Sequence, residues 1–393
     1  MNGTIYMPVG EVCSSISDTY REKKNMVTLI NTSDVLEGRV LNHERVPNSN
    51  LKGQFKKTFQ RDDILYSEIR PQNRRFAYVD FSPIDYIAST KLMVIRAKKD
   101  VVSPKYLYYF LKNSSTVAEL QLLAETRSGT FPQITFSEVA NLTIPVPSLA
   151  VQEVIVQTMQ CLEDKITCNE QINDNLEQQA HSYFQELFVD NADPEWAIGT
   201  ISDLGTVVGG STPSKAKPEY YTESGIAWIT PKDLSINKSK FVSHGENDIT
   251  ELGLKNSSAA IMPEGTVLFS SRAPIGYIAI AAGEVTTNQG FKSVVPKPEI
   301  GTPFVYFFLK NTLPVIEGMA SGSTFKEVSG STMKNVPAVI PDAETLAKFS
   351  DFCAPIFAQQ RILEEQNQSL ATLRDNLLPK LMSGEIDVSA VQL

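Results

Sequence analysis

A chain of 393 residues, 42% hydrophobic and 21% charged, has the composition of a globular protein and the length for two or more packed cores. Its net charge of −9 argues against a uniformly basic nucleic-acid-binding surface. The opening MNGTIYMPVG is no signal peptide, no apolar stretch approaches the roughly 20 residues that span a bilayer, and four cysteines without C-x-x-C spacing read as reduced thiols of a cytoplasmic protein.

In chain order, residues 1–148 carry 19 Lys and Arg against 15 Asp and Glu. Short apolar runs broken by Gly and Pro predict a mixed α/β globule here, with a strand in DDILYSEIRP from Asp62 and a short helix in YLYYFLKN from Tyr106. The basic excess collects at Lys56, Lys57, Arg61, Arg70, Arg74, Arg75 and Lys91. Basic and amide groups set this close suit a DNA-facing loop, and equally a solvated surface.

Pro147 then precedes a helical pattern over 149–190, with one Lys and eight acids, a charge better suited to a solvated or protein-contacting face than to DNA. Its apolar seam alternates spacings of four and three from Ile155 and Met159 to Tyr183 and Leu187, a coiled-coil pattern. Residues 191–341 predict a second globule, with β-rich runs in GTVLFSS and GYIAIAAGEV and a short helix in FVYFFLKN from Phe304. Pro341 precedes a second seam over 342–393, from Leu346 to Leu381. Pro355 predicts a kink or break in it, and Pro379 a bend or an end near Leu377. Asn173 and Asn367 take the same seam position in the two helices, where a polar residue fixes register or, on a rim, bonds water.

The chain repeats itself. The two FLKN phrases lie 198 residues apart; DDILYSEIRP resembles GTVLFSSRAP from Gly265. Downstream, Ile134-Thr135 answers to Val328-Ser329, Asn141-Leu142 to Asn335-Val336, and Pro147 to Pro341. Two related units with pseudo-twofold symmetry are expected.

Catalytic signatures are missing. There is no phosphate loop, no G-x-S-x-G elbow and no H-E-x-x-H, and His43, His181 and His244 are scattered. A recognition or scaffold protein is favoured over a catalyst.

Four passages carry a resemblance: STPSKAKPEYYTESGIAWITPKDLS from Ser211, LFSSRAPIGYIAIAAGEVTTNQGFKSVVP from Leu268, the proline-preceded helices, and LLPKLMSGEIDV from Leu377. Together they resemble the DNA-specificity subunit of a type I restriction–modification system. The resemblance implies two target-recognition domains (1–148 and 191–341), each reading half of a split double-stranded DNA site, held apart by two long antiparallel coiled-coil helices (149–190 and 342–393). It also implies docking of two methyltransferase subunits and, through them, endonuclease subunits. S-adenosylmethionine, ATP and magnesium would sit on those partners and none on this chain. The first globule departs from the pattern, with STKLMVI at Ser89 where the second has NQGFKSVV.

Major-groove reading uses Arg or Lys on guanine and Asn or Gln on adenine. In the second globule that singles out Arg272, Asn288, Gln289 and Lys292, with Ser211, Thr212, Lys215 and Lys217, and Ser323, Thr324 and Lys326, as phosphate-binding loops. Base readers vary with the target, whereas SSRAPIG and NQGF look like family motifs, so Arg272 and Gln289 are favoured as fold-holding or backbone-contacting. Trp228 reads as core. The rival readings are a protein scaffold that oligomerises through its helices and binds no DNA, and an enzyme whose site is completed by another chain.

Overall fold

The computed structural model describes residues 4–48, 53–126, 132–322 and 326–388. The chain divides into two compact units, Met1–Ile166 with Ser369–Leu393, and Thr167–Gln368.

The first unit is framed by β1 (Ile5–Pro8), β2 (Cys13–Ile16), β3 (Ile64–Ser67), β4 (Phe76–Tyr78), β5 (Leu92–Ala97), α1 (Pro104–Lys112), β6 (Thr143–Val146) and the start of α2 (Leu149–Gln185). β1 pairs with β6, and an antiparallel sheet runs β2-β5-β3-β4. Both faces of the central strands β3 and β5 are covered, which is why ILYS and LMVIRA read as nearly unbroken apolar runs. Ile64, Tyr66, Met93 and Ile95 face a core shared with α1, with Ile155 and Met159 of α2, and with Leu378 and Leu381. Leu65, Leu92 and Val94 point the other way, into a core completed by Ile30 and Ala88 of a second four-stranded sheet.

The second unit repeats the plan in β7 (Ala197–Thr200), β8 (Gly205–Gly209), β9 (Val267–Ser271), β10 (Ile275–Ala281), β11 (Lys292–Pro296), α3 (Thr302–Met319), β12 (Pro337–Ile340) and the start of α4 (Ala343–Ser383). β7 pairs with β12, and the sheet runs β8-β11-β9-β10, extended by Phe241–Val242. The match extends to single hydrogen bonds. Val9 N–H donates to Leu142 O at 2.9 Å and Ile201 N–H to Val336 O at 3.0 Å; Ile134 N–H donates to Glu68 O and Val328 N–H to Ser271 O, both at 2.9 Å. Two left-handed positions coincide too: Asp62 (φ 73°) with Gly265 (φ 82°), and Arg70 (φ 45°) with Ala273 (φ 49°). The repeat seen in sequence is a repeat of backbone.

Each unit seats its sheet on the long helices through the FLKN helix. Tyr108, Phe110 and Phe307 are buried and Phe308 is partly buried, as core packing requires. In the first unit Lys112 and Tyr109 bond the Glu163 carboxylate of α2. In the second, Lys310 Nζ lies 2.6 Å and Tyr306 Oη 3.1 Å from Glu177 Oε1, again on α2. Lys240, in a loop, supplies a second ammonium to Glu177 Oε2 at 2.7 Å and to Gln360 Oε1 at 2.8 Å. It lies 3.5 Å from the Phe357 ring centroid, a cation–π contact. Burial pushes Lys240 down to about 8. The two lysines hold Glu177 at about 2, against the opposing pull of burial.

The helices run antiparallel in the second unit: Asn169 Nδ2 donates to Asn367 Oδ1 at 2.8 Å, and Gln360 Nε2 to Asn173 O at 3.1 Å. Asn173 and Asn367 therefore sit in the seam but meet other residues rather than each other. Neither a break at Pro355 nor an end near Leu377 occurs. α4 is continuous through Pro355 and Pro379 to Ser383. Cys353, Ile356 and Phe357 around the first proline are buried in the core, and Leu378, Leu381 and Met382 around the second, so packing outweighs the one missing backbone hydrogen bond at each. The FLKN helix of the second unit is also not short, running 18 residues through Pro314.

Candidate nucleic-acid interface

β9 ends on two buried serines that shape the turn after it. Ser270 Oγ donates to Pro274 O at 2.9 Å and accepts from Tyr277 N–H at 2.7 Å, tying down the Arg272–Pro274 turn. Ser271 Oγ donates to Gly290 O at 3.1 Å, fixing that turn beside the NQG loop. The STP loop is drawn to the same place. A Cβ at Gly210 would lie 2.0 Å from Asn288 O, so only glycine permits the approach. Ser211 N–H then donates to Thr287 O at 2.8 Å, and Trp228 Nε1 to Ser211 O at 3.0 Å.

The result is a cleft of about 710 Å³ that brings Thr212, Lys215, Arg272, Asn288 and Gln289 together, with Trp228 in its wall. Trp228 is 6% exposed and packs edge-on against Tyr221, a core residue as expected. Several lining side chains are spoken for. Thr212 donates to Gln289 Oε1, and Asn288 Oδ1 accepts from Gly290 N–H at 2.8 Å. Arg272 faces Glu327 at 3.5 Å. Lys215 is exposed and, among the described residues, carries no such bond. Lys217 lies outside the cleft lining, its ammonium 3.1 Å from Tyr220 Oη. Lys292 is half-buried, and burial lowers its pKa. Lys326 is exposed; Ser323 and Thr324 fall outside the described residues.

Sequence reasoning missed Lys232 and Asn247, which also line the cleft. Lys232 follows Thr230-Pro231, and Thr230 Oγ1 and N–H bond Asp233 in a capping box that starts the helix Pro231–Ile236. That cap was legible in TPKD. Asn247 had no local signal.

The basic residues of the first unit are not gathered into one site. Lys57 turns inward, donating to Thr90 O at 3.1 Å and Leu92 O at 2.8 Å, and Arg75 donates to Ser33 O at 3.0 Å. Arg74 pairs with Glu37 at 3.2 Å and lies against the Phe76 ring. These three cations brace the fold. Lys91 pairs with Glu68 at 3.4 Å. Lys56, Arg61 and Arg70 are exposed. Among the described residues no cluster of His, Cys, Asp and Glu could hold a metal ion, and no helix is long and apolar enough to cross a membrane.

The chain is similar to the HindI specificity subunit of Haemophilus influenzae, 29% identical over 92% of this chain and 94% of that protein. It is 39% identical to the MjaIX specificity subunit of Methanocaldococcus jannaschii, over 46% of this chain and 44% of that one. Its fold is like that of the type I restriction–modification S subunit from M. genitalium, with a TM-score of 0.55 at 17% identity, covering 97% of this chain and 96% of that one. The family model for the type I restriction modification DNA specificity domain matches twice, at residues 6–178 and 194–373. The two copies coincide with the two halves of the internal repeat, and the chain belongs to the family of type I restriction–modification specificity subunits.

Proposed function

We propose that this non-catalytic specificity subunit reads a bipartite double-stranded target. Residues 1–148 serve one half-site and 191–341 the other, and the helices 149–190 and 342–393 set the gap. The observation that carries this reading is the duplicated sheet, seated twice on α2 through Glu163 and Glu177. In the second reader the cleft supplies amide, hydroxyl and cationic groups for the duplex, with Arg272, Gln289 and Thr212 on its backbone, Asn288 available to a base edge and the exposed Lys215 for phosphate. Lys217, Lys292 and Lys326, with Ser211, add further basic and hydroxyl groups for phosphates, and Ser323 and Thr324 are proposed for the same role from their residue type alone. In the first reader Lys56, Arg61, Arg70 and Lys91 are the outward cations. Asn173 and Asn367 hold the helix register.

Two methyltransferase subunits dock on the acidic helices and bring endonuclease subunits, S-adenosylmethionine, ATP and magnesium; the assembly works in the cytoplasm. Their contacts to phosphates offset the chain's net charge of −9. The test is selection from random duplexes by the chain with its methyltransferase. Two fixed half-sequences with a constant gap are expected. A heptad inserted into both helices at the unit boundaries, after Ile166 and after Gln368, adds about 10 Å of helix, or about three base pairs of gap. Altered half-sequences at an unchanged gap overturn the ruler, and failure to retain any duplex overturns the DNA reading.

A further inference from the structure

At the rim of the cleft one carboxylate serves two cations. Glu327 places one oxygen 3.5 Å from Arg272 Nη1 and the other 4.0 Å from Lys292 Nζ. The backbone sets this carboxylate in place: Glu327 exchanges both backbone hydrogen bonds with Ser321, and the next residue, Val328, donates to Ser271 O at the end of β9. The first unit makes a related choice at the same point. Ile134 is the counterpart of Val328, and the residue before it, Gln133, accepts from Lys91 Nζ at 3.3 Å while Lys91 pairs with Glu68. In both units an acceptor one residue before this hydrogen bond turns onto a cation beside the central strand.

We infer that Glu327 is a specificity-determining residue that acts without reading a base: it keeps Arg272 and Lys292 from binding phosphates of the wrong duplex. The inference rests on the reading that this cleft meets DNA. A free cation attracts any phosphate alike, so it adds affinity without discrimination. A cation held by an internal carboxylate must first exchange partners, and the carboxylate repels an approaching phosphate. The exchange is recovered only where the rest of the cleft fits the duplex and a base edge or a well-placed phosphate replaces the lost contact. Arg272 and Glu327 have side chains 38% and 40% exposed, so the pair is weak enough to exchange.

The experiment measures binding of the selected duplex and of a scrambled duplex to the chain with its methyltransferase, over a range of salt. Glu327→Gln is expected to tighten scrambled-duplex binding about fivefold and to steepen its salt dependence by about one counterion. Binding of the selected duplex should change less than about twofold, which also reports an intact fold. Arg272→Gln in the same chain should remove most of the gain, since Arg272 is the nearer of the two cations Glu327 holds. Glu251→Gln removes an equal charge from an exposed helix of the same unit, where among the described residues Glu251 pairs only with Lys255 at 3.5 Å, and should change neither affinity. A wild-type assembly that discriminates while Glu327→Gln leaves scrambled binding unchanged overturns the inference alone, as does an equal gain from Glu251→Gln. A wild-type assembly that retains no duplex overturns the DNA reading and the inference with it.

Discussion

The two FLKN helices do the same task with differently distributed charge. In the first unit the lysine of the phrase, Lys112, has a side chain only 10% exposed and lies over the rings of Tyr108 and Tyr109 while it bonds Glu163. In the second unit the corresponding Lys310 is 39% exposed. The buried position over the aromatic rings is taken instead by Lys240, 6% exposed, from a loop outside the phrase. The partner tyrosine moves as well, from the fourth residue of the phrase (Tyr109) to the third (Tyr306). The fold preserves a buried ammonium over aromatic rings bonded to an α2 carboxylate, and not the particular lysine that provides it.

The largest effect should come from removing those buried cations. Lys240→Met keeps the stem but leaves Gln360 Oε1 without its ammonium donor and Glu177 with Lys310, Tyr306 and a long 3.5 Å bond from Gln360 Nε2. A loss of about 3 kcal/mol in the second unit is expected. Lys112→Met should cost the first unit about 2 kcal/mol, because Glu163 is more open to water, at 27% exposed. Hydrogen exchange on the full chain, read unit by unit, checks both. Equal losses, or a loss spread over both units, would break the comparison.

Acid sharpens it next. Glu177 titrates at about 2 when folded, against an ordinary 4.5, because Lys240 and Lys310 favour its charged form. A depressed carboxylate contributes stability above its unfolded pKa and loses it as pH falls towards the folded value. Between pH 7 and pH 3 the second unit should therefore lose about 2 kcal/mol more in the wild type than in Glu177→Gln. Glu364, which burial shifts upward, titrates in the opposite sense in both proteins and largely cancels from the difference. Identical acid profiles would remove Glu177 from the account.

This distribution explains what the sequence could and could not disclose. The repeat, the β-rich runs and both helix seams followed from periodicity and turn residues, which are local, and Trp228 was read as core from its residue type. Three of the cleft's contributions, from Ser211-Thr212, Arg272 and Asn288-Gln289, also stood out by residue type. Lys240 did not, since a lone lysine in a loop carries no sign that it will be buried 63 residues along the chain from its carboxylate. Lys57 and Arg75 misled for the same reason: composition locates a cation, and only tertiary contacts decide whether it faces water or a carbonyl. Pro355 and Pro379 were read by a local rule that core packing overrode.

The smallest effect is the sharpest comparison. Lys310→Met changes the same letter of the same phrase as Lys112→Met, yet it removes a cation that is 39% exposed and leaves Lys240 on Glu177. Water and salt screen an exposed pair, so the expected cost is about 0.5 kcal/mol, falling further at high ionic strength. The pair of lysines can thus be ranked in one exchange experiment at two salt concentrations. If Lys310→Met costs the second unit as much as Lys112→Met costs the first, the phrase itself is the anchor and Lys240 is incidental. If it costs little while Lys240→Met alone is severe, Lys240 is the anchor on Glu177, and the second unit has moved the buried charge from the phrase to the loop.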